Sequence, residues 1–367
     1  MRLLRVSLTV TAALAFWGSL ATADWSLFRN DAMQTGSTRE ALPDKVEVLW
    51  KYTAKDAVES TAAIVGERII IGCGDGHVIC LKLSDGSELW KYKTDGASFK
   101  ASPAVKDGLV YIGDQEGTFH CLDLETGKKR WTFVTNGEIV SSANFAGKGV
   151  LVGSWDEFLY YLSLDKGELI WKYSAGGPIN SSPAVVADRT FVAGCDANLH
   201  IVNIKDGTAA HLVPLNSQAG ASAAVSGSLV LVGNMDRSFY AIDWKDGKVV
   251  WDYSPRRGLQ FYSSAAVGEG VVIVGNRDRK VHAMNLKDGN ERWVFPTRNR
   301  VDGCPVIAGN RVYVGSMDGS LYCLELQTGK KVWERPLGGR ITASPALAQG
   351  RLIIGTDDGV VYCLGAK

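Results

Sequence analysis

After Ala23 the chain of 367 residues contains no apolar run long enough to cross a bilayer, which excludes a helical membrane span from that part. None of its seven cysteines are adjacent and no Cys-x-x-Cys spacing occurs, so the usual sequence basis for a zinc site is missing. Charge of neither sign dominates. Forty Lys and Arg stand against 39 Asp and Glu, giving a formal charge of +1 and no general attraction to nucleic acid or anionic membrane. Histidine is scarce as well, and none of the five sits in a recognisable motif for nucleophilic catalysis.

What the chain does have is a period. Trp50, Trp90, Trp131, Trp171, Trp251, Trp293 and Trp333 follow one another at steps of 40 to 42 residues with one step of 80, and His211 occupies the skipped place. Self-similarity at this interval marks a repeat architecture whose units cannot bury their apolar faces alone. Within a unit such as Ser98 to Val134, four short alternating runs are separated by Gly and Asp turns, which reads as four antiparallel strands, A to D.

The glycine ending strand B recurs at Gly72, Gly113, Gly153, Gly194, Gly233, Gly275, Gly315 and Gly355, which counts eight A-B-C sets. The last set has no strand D, whereas Val46 to Tyr52 has the D pattern with nothing before it. Pairing these two ends removes both open sheet edges. The expectation is therefore an all-β fold, an eight-bladed propeller of four-stranded antiparallel blades closed by an N-terminal strand, over residues 46–367. Residues 24–45 form an extension in front of it. Each Trp is expected to lie across the seam between blades, and blade four, with His211, is expected to have the weakest seam.

At the N-terminus Arg2 and Arg5 precede an apolar stretch, and Ala21-Thr22-Ala23 supplies the small residues that signal peptidase reads. Residues 1–23 are expected to be a cleaved leader, with the mature protein periplasmic or extracellular, monomeric and without a lipid anchor. Cys80, Cys121, Cys323 and Cys363 share one repeat position, filled elsewhere by Ala241 and Ala283, and read as small strand residues rather than disulfide halves.

In a four-stranded meander the D-to-A connections and B-to-C turns emerge on one face, the top. Aligning strand A starts on Thr61, Ser102, Ser142, Ser182, Ser222, Ser264, Cys304 and Ser344 places Glu59, Lys100, Val140, Asn180, Gly220, Tyr262, Asp302 and Thr342 two residues earlier. By strand alternation this second set faces the central funnel, so Glu59, Lys100, Tyr262 and Asp302 are candidate ligand-binding residues. Arg256, Arg257, Arg298, Arg300 and Arg340 fall in D-to-A connections entering blades six to eight, with Arg237, Arg277 and Arg279 in nearby B-to-C turns. One sector of the top should therefore be cationic. Forked guanidinium donors suit carboxylate or phosphate, although Arg–Asp pairs such as Arg277 with Asp278 would give the same pattern. The Asp that recurs in the B-to-C turns reads as turn chemistry.

The segments Leu122 to Trp131 (LDLETGKKRW), Ile242 to Trp251 (IDWKDGKVVW) and Leu324 to Trp333 (LELQTGKKVW) resemble the tryptophan-docking motif of pyrroloquinoline-quinone-type repeats. The resemblance covers about residues 24–367 and implies the propeller fold. It also implies two functions. Quinoprotein dehydrogenases with this repeat hold pyrroloquinoline quinone on a Trp floor under adjacent cysteines, with Glu, Asn and Asp oxygens around calcium, and oxidise alcohols or sugars. Non-catalytic members, similar to the propeller scaffold of the outer-membrane β-barrel assembly machine, bind other proteins. The reading taken is a secreted non-catalytic propeller, with no cofactor and no metal, that binds an envelope protein, an anionic small molecule or an anionic carbohydrate. For the carbohydrate, Trp25 and Phe28 are expected beside the arginine sector. The dehydrogenase with quinone and calcium stands as the alternative.

Overall fold

Strands B and C of every unit carry four or more consecutive buried residues, as in Arg68–Gly72 and His77–Lys82, because a blade packed between two others is apolar on both faces. Strand D alternates exposed and partly buried residues, as in Lys129–Val134, because it forms the rim. The computed structural model describes residues 24–43 and 45–367, and the expected leader, residues 1–23, lies outside the described residues. Eight antiparallel meanders follow in chain order, each running A-B-C-D from axis to rim. The eighth is assembled from Ala346–Ala348, Arg351–Gly355 and Val360–Gly365, and its D strand is Glu47–Thr53 from the other end of the chain. Glu47 lies opposite Gly365 and Thr53 opposite Val360, so the ring is shut as the sequence implied.

Neighbouring blades share no sheet; a backbone bond ties each D-to-A connection to the blade before it, as Phe99 N–H to the Cys73 carbonyl at 3.2 Å, and side chains complete the seam. At the rim the tryptophans do so. Trp90 of blade one donates its indole N–H to the Leu124 carbonyl of blade two at 2.9 Å, and Trp50, Trp131, Trp171, Trp251 and Trp293 repeat the bond to Leu83, Leu164, Ile204, Leu286 and Leu326. Each ring lies on the glycine of the next C-to-D turn. Gly127 has φ +67°, and a Cβ there would fall 2.5 Å from Trp90, so both the backbone and the contact require glycine. His211 performs the same task with a smaller ring, Nε2 lying 3.1 Å from the Lys245 carbonyl over Gly247. Trp333 meets no such turn, because blade eight is where the chain begins and ends.

The cysteine position is now explained. Cys80, Cys121, Cys323 and Cys363 lie directly opposite Trp90, Trp131, Trp333 and Trp50 across strands C and D, beside a bulge that swings the Trp toward the seam. A small side chain leaves room for the indole. Ala241 and Ala283 do the same, while in blade three Tyr161 sits opposite Trp171 and needs Gly149, where a Cβ would strike its ring.

Near the axis a second circle of bonds joins the blades. The backbone N–H of Thr61 donates to Ser102 Oγ at 2.9 Å, Ser102 to Ser142, Ser142 to Ser182, Ser182 to Ser222 and Ser222 to Ser264, all at 2.8 to 2.9 Å. Ser264 N–H then reaches Cys304 Sγ at 3.2 Å, and Cys304 N–H reaches Ser344 Oγ at 3.0 Å. Cys304 thus keeps the acceptor role of the serine it replaces.

Residues 24–40 were expected only as an extension; they form a strap across the bottom of the ring. The inner edge of each strand A would otherwise present unpaired backbone donors. Ile64, Val105, Val185, Val225, Val267 and Ile307, at one repeat position in six blades, donate their N–H to Trp25, Ser26, Ala32, Met33, Thr35 and Gly36 at 2.7 to 2.9 Å. Ser37–Thr38 then pairs in parallel with Ile307 and Ala308. Arg29 and Gln34 reach across to the carbonyls of Pro305, Ala265 and Pro183. Gly36, at φ +60°, is indispensable here because a Cβ would overlap the Arg29 guanidinium.

Two predictions follow from these joints. Trp90→Ala should destabilise the fold by roughly 3–5 kcal/mol, whereas His211→Trp should stabilise it by about 1 kcal/mol, read as opposite shifts in the urea midpoint. Deleting residues 24–40 should abolish amide-exchange protection at Ile64, Val105, Val185, Val225, Val267 and Ile307, while the strand C amides stay slow; retained protection at these six would show that the strap is not their partner.

Candidate functional site: the central well and the top face

The two rings aligned from the sequence surround one central well of about 280 Å³. Thr61, the six serines and Cys304 form its wall, and Glu59, Lys100, Val140, Asn180, Gly220, Tyr262, Asp302 and Thr342 form its mouth. Both sets lie in the segment that leads into strand A, as Glu59 and Thr61 lie four and two residues before Ala63–Val65, and residues two apart there face the same way. The floor was not foreseen. Phe28 of the strap lines it, so the strap makes the channel a cup open at the top.

The mouth is polarised on the side of blades five to seven. Arg277 grips Asp302 with Nε and Nη2, both at 3.0 Å, and lies over the Tyr262 ring at 4.1 Å from its centroid. Arg300 adds a second guanidinium 3.2 Å from Asp302 and also contacts Met317 Sδ at 2.7 Å. Tyr262 leans over Gly220, where a Cβ would meet its ring at 2.9 Å. Asp302 is therefore saturated by two cations, and the cluster as a whole carries a positive charge. Thr342 donates to Asp357, and Asn180 donates to Cys195 Sγ at 3.3 Å. Among the described residues neither Glu59 nor Lys100 forms an ion pair.

The arginine sector does not gather at one point. Of the candidates only Arg300 joins Tyr262 and Asp302 at the mouth. Arg298 lies over the outer strands of blade seven, bonded to Glu334 at 2.5 Å and Ser320 at 2.8 Å, and Lys331 with Arg298 holds the Glu334 carboxyl below its ordinary range. Arg256 and Arg257 are exposed at a shallow groove with Lys280, His282 and Glu291. Arg340 is exposed in the connection to blade eight, its carbonyl accepting the Asp357 N–H. The pairing of Arg277 with Asp278 is replaced by the one with Asp302, because Asp278 is engaged by His282 and Lys280. Trp25 and Phe28 are not beside the arginines either. Trp25 is 1% exposed under blade one, and the strap occupies the opposite face.

The turn acids of blades two, three, four, six and seven are tied to strand C, whereas Asp236 and Asp358 are exposed. Asp114 bonds His120 Nε2 at 2.7 Å while Tyr92 meets Nδ1 at 3.2 Å, and Asp196–His200–Tyr173 and Asp278–His282–Tyr253 repeat this in blades four and six. In blades three and seven Tyr160 and Tyr322 donate directly to Asp156 and Asp318 at 2.7 Å, and burial together with these carboxylates pushes both phenols up. The strand C position that carries this pattern alternates His and Tyr from blade two to blade seven, with Ile79 in blade one and Tyr362 in blade eight, and could have been found by aligning the repeats.

Residues 42–175, 74–221 and 295–367 match the family described as outer membrane protein assembly factor BamB. No curated protein matches the sequence. Among solved structures, BamB from Moraxella catarrhalis is similar with 20% identity over 88% of this chain and 98% of that one, at a TM-score of 0.75. The quinohemoprotein alcohol dehydrogenase from Comamonas testosteroni is 14% identical over 94% of this chain and 81% of that one, at 0.83. A europium-containing methanol dehydrogenase is 13% identical over 94% and 98%, at 0.77. At these identities the likeness is one of fold.

The well does not fit a quinone with its calcium. Its floor is Phe28 rather than Trp, and its one cysteine, Cys304, has no adjacent thiol. Glu59, Asn180 and Asp302 come from blades one, four and seven, and Asp302 is already taken by arginine. Among the described residues no group of three or more His, Cys, Asp or Glu is placed to hold a metal.

The thiols give this face a reporter. All seven cysteines are free, six are buried, and burial pushes Cys80, Cys121 and Cys363 up to about 12 and Cys73 up to about 11. At pH 8 these four should stay protonated and resist iodoacetamide, while the half-buried Cys195 beside Asn180 labels; mass spectrometry of the native protein checks this, and labelling at Cys80 or Cys121 would contradict it.

Proposed function

The chain belongs to the family of the outer membrane protein assembly factor BamB, and on that premise we propose that it is a secreted, non-catalytic scaffold that docks an acidic envelope protein on its top face. Residues 1–23 act as the export leader in this reading. One observation carries it: the two faces are unequal. The bottom is sealed by the strap, whereas the top exposes Trp155, Leu259 and Tyr262 together with Arg256, Arg257 and Arg340. Trp, Tyr and Arg are the residues that dominate protein interfaces when one partner buries them. Trp155 projects from the B-to-C turn of blade three, held by its backbone bond to Glu138, and is 42% exposed.

Charge supports the same reading. Among the described residues Arg256, Arg257 and Arg340 form no ion pair, so their guanidiniums are free for carboxylates of a partner. Such contacts steer encounter and weaken with salt, while a buried aromatic sets the dissociation rate. The anionic small molecule or carbohydrate weighed from the sequence would use the same cations without needing the aromatics.

Capture from an envelope extract by the immobilised mature domain tests the proposal. Trp155→Ala should weaken capture roughly thirtyfold, the scale of a hot-spot residue worth about 2 kcal/mol. The triple variant Arg256→Ala, Arg257→Ala, Arg340→Ala should remove its salt dependence. Capture that is unchanged in both variants rules out this face as the docking surface.

A further inference from the structure

Thr61 and the six serines in the wall of the well are each at least nine-tenths buried. Six of these seven hydroxyls are oriented by the backbone: each serine Oγ accepts an N–H from the preceding blade. An oxygen that accepts in this way still owns a proton to donate. Among the described residues none of the seven hydroxyl protons has a protein acceptor, although all seven line one cavity. In a cup open at the top these protons face the cavity, and seven donors converging on one axis suit an occupant rich in acceptors.

A second observation gives that occupant a sign. Arg29 is 1% exposed, and its Nη1 and Nη2 bond the carbonyls of Pro305 and Ala265 at 2.7 Å. Those are the residues immediately after Cys304 and Ser264 in the wall, and the guanidinium acts through space on Cys304 without itself lining the well, whose floor is Phe28. Its Nε has no partner, and among the described residues no carboxylate forms an ion pair with it. Asp31 acts on it through space but spends its oxygens on Thr35. A buried cation without a counter-ion is costly, and burial pulls its pKa down. At the mouth Asp302 is bonded by Arg277 and Arg300, and Glu59 and Lys100 occupy neighbouring positions of the ring.

We propose that the central well is a binding site for a small oxyanion, a phosphate or carboxylate group seated on the hydroxyl circle above Arg29, distinct from the protein-docking residues of the top face. The volume of about 280 Å³ admits a compact di- or tricarboxylate as well as inorganic phosphate. Cys304 shows how to test it. A thiol already holds the acceptor role in the circle, so Ser182→Cys and Ser222→Cys keep the bond between blades and weaken only the donor.

Isothermal titration of the mature protein with inorganic phosphate and, in a separate arm, with citrate should give saturable binding of at least one at one site per chain. The double variant S182C/S222C should bind at least tenfold more weakly with an unchanged melting temperature. Trp155→Ala should bind as the parent does, which separates this site from the docking face. Arg29→Met should also lose the anion; if it fails to fold, the cysteine pair still decides. No saturable binding of either anion up to about 10 mM overturns the proposal. So does equal affinity in S182C/S222C, or a crystal grown with phosphate whose well contains water alone.

Discussion

Adjacent blades have no common hydrogen-bonded edge, and the molecule depends on joining them by other means. Beside the backbone bond from each D-to-A connection, two side-chain joints recur at each typical seam. Near the axis a hydroxyl takes the neighbour's backbone N–H; at the rim an indole lies on the neighbour's glycine turn and donates to its carbonyl. Two attachments at different radii fix the angle between wedges as well as their spacing. The inner one spans no more than a serine side chain, which sets how near the blades stand to the axis and so how wide the well can be. The size of the cavity and the rigidity of the ring therefore have a single cause.

The strap gives this near-symmetric ring two different sides. It satisfies strand A donors in six blades with its own carbonyls and places Phe28 beneath the opening. Because it rises from the start of the chain and Glu47–Thr53 completes the last blade, the N-terminal segment both covers one face and seals the circumference. The opposite face is left to vary. Differences between copies collect there, in the turns that carry Trp155, Arg256 and Arg277, while the joints below repeat.

The period of tryptophans and the glycines ending strand B made the blade count and the closure legible, because each marks a backbone event that only one residue type performs well. The two rings of the well were legible for a related reason: residues two apart in the extended segment before strand A share a direction, although the strand itself begins only at Ala63 in blade one. Other features were not. The strap binds through its backbone carbonyls, which every residue has, so Trp25 to Gly36 left no signature beyond the unusual Arg29 and the required Gly36. Ion pairs escaped as well. Arg277 was paired in sequence with its neighbour Asp278, but His282 and Lys280 hold that carboxylate and leave Arg277 to Asp302, 25 residues away. The thiols opposite the indoles showed as a repeat position, yet their purpose needed the strand register.

Closure by the two ends also governs how the ring can come into being. Glu47 meets Gly365 only after residues 360–365 have been made, so blade eight cannot close earlier in synthesis. Contacts of such separation in sequence are entropically expensive to nucleate and slow to find. Until residues 360–365 are made, the strand Glu47–Thr53 remains without its partner, although the strap before it can already bond blades one to seven. Trp333, deprived of a turn to rest on, stands at that same junction. That seam is held instead by the Arg335 bond to the Val46 carbonyl, the Cys304 N–H on Ser344 and the apolar cluster shared by blades seven and eight, so its closure waits on the pairing of the chain's two ends.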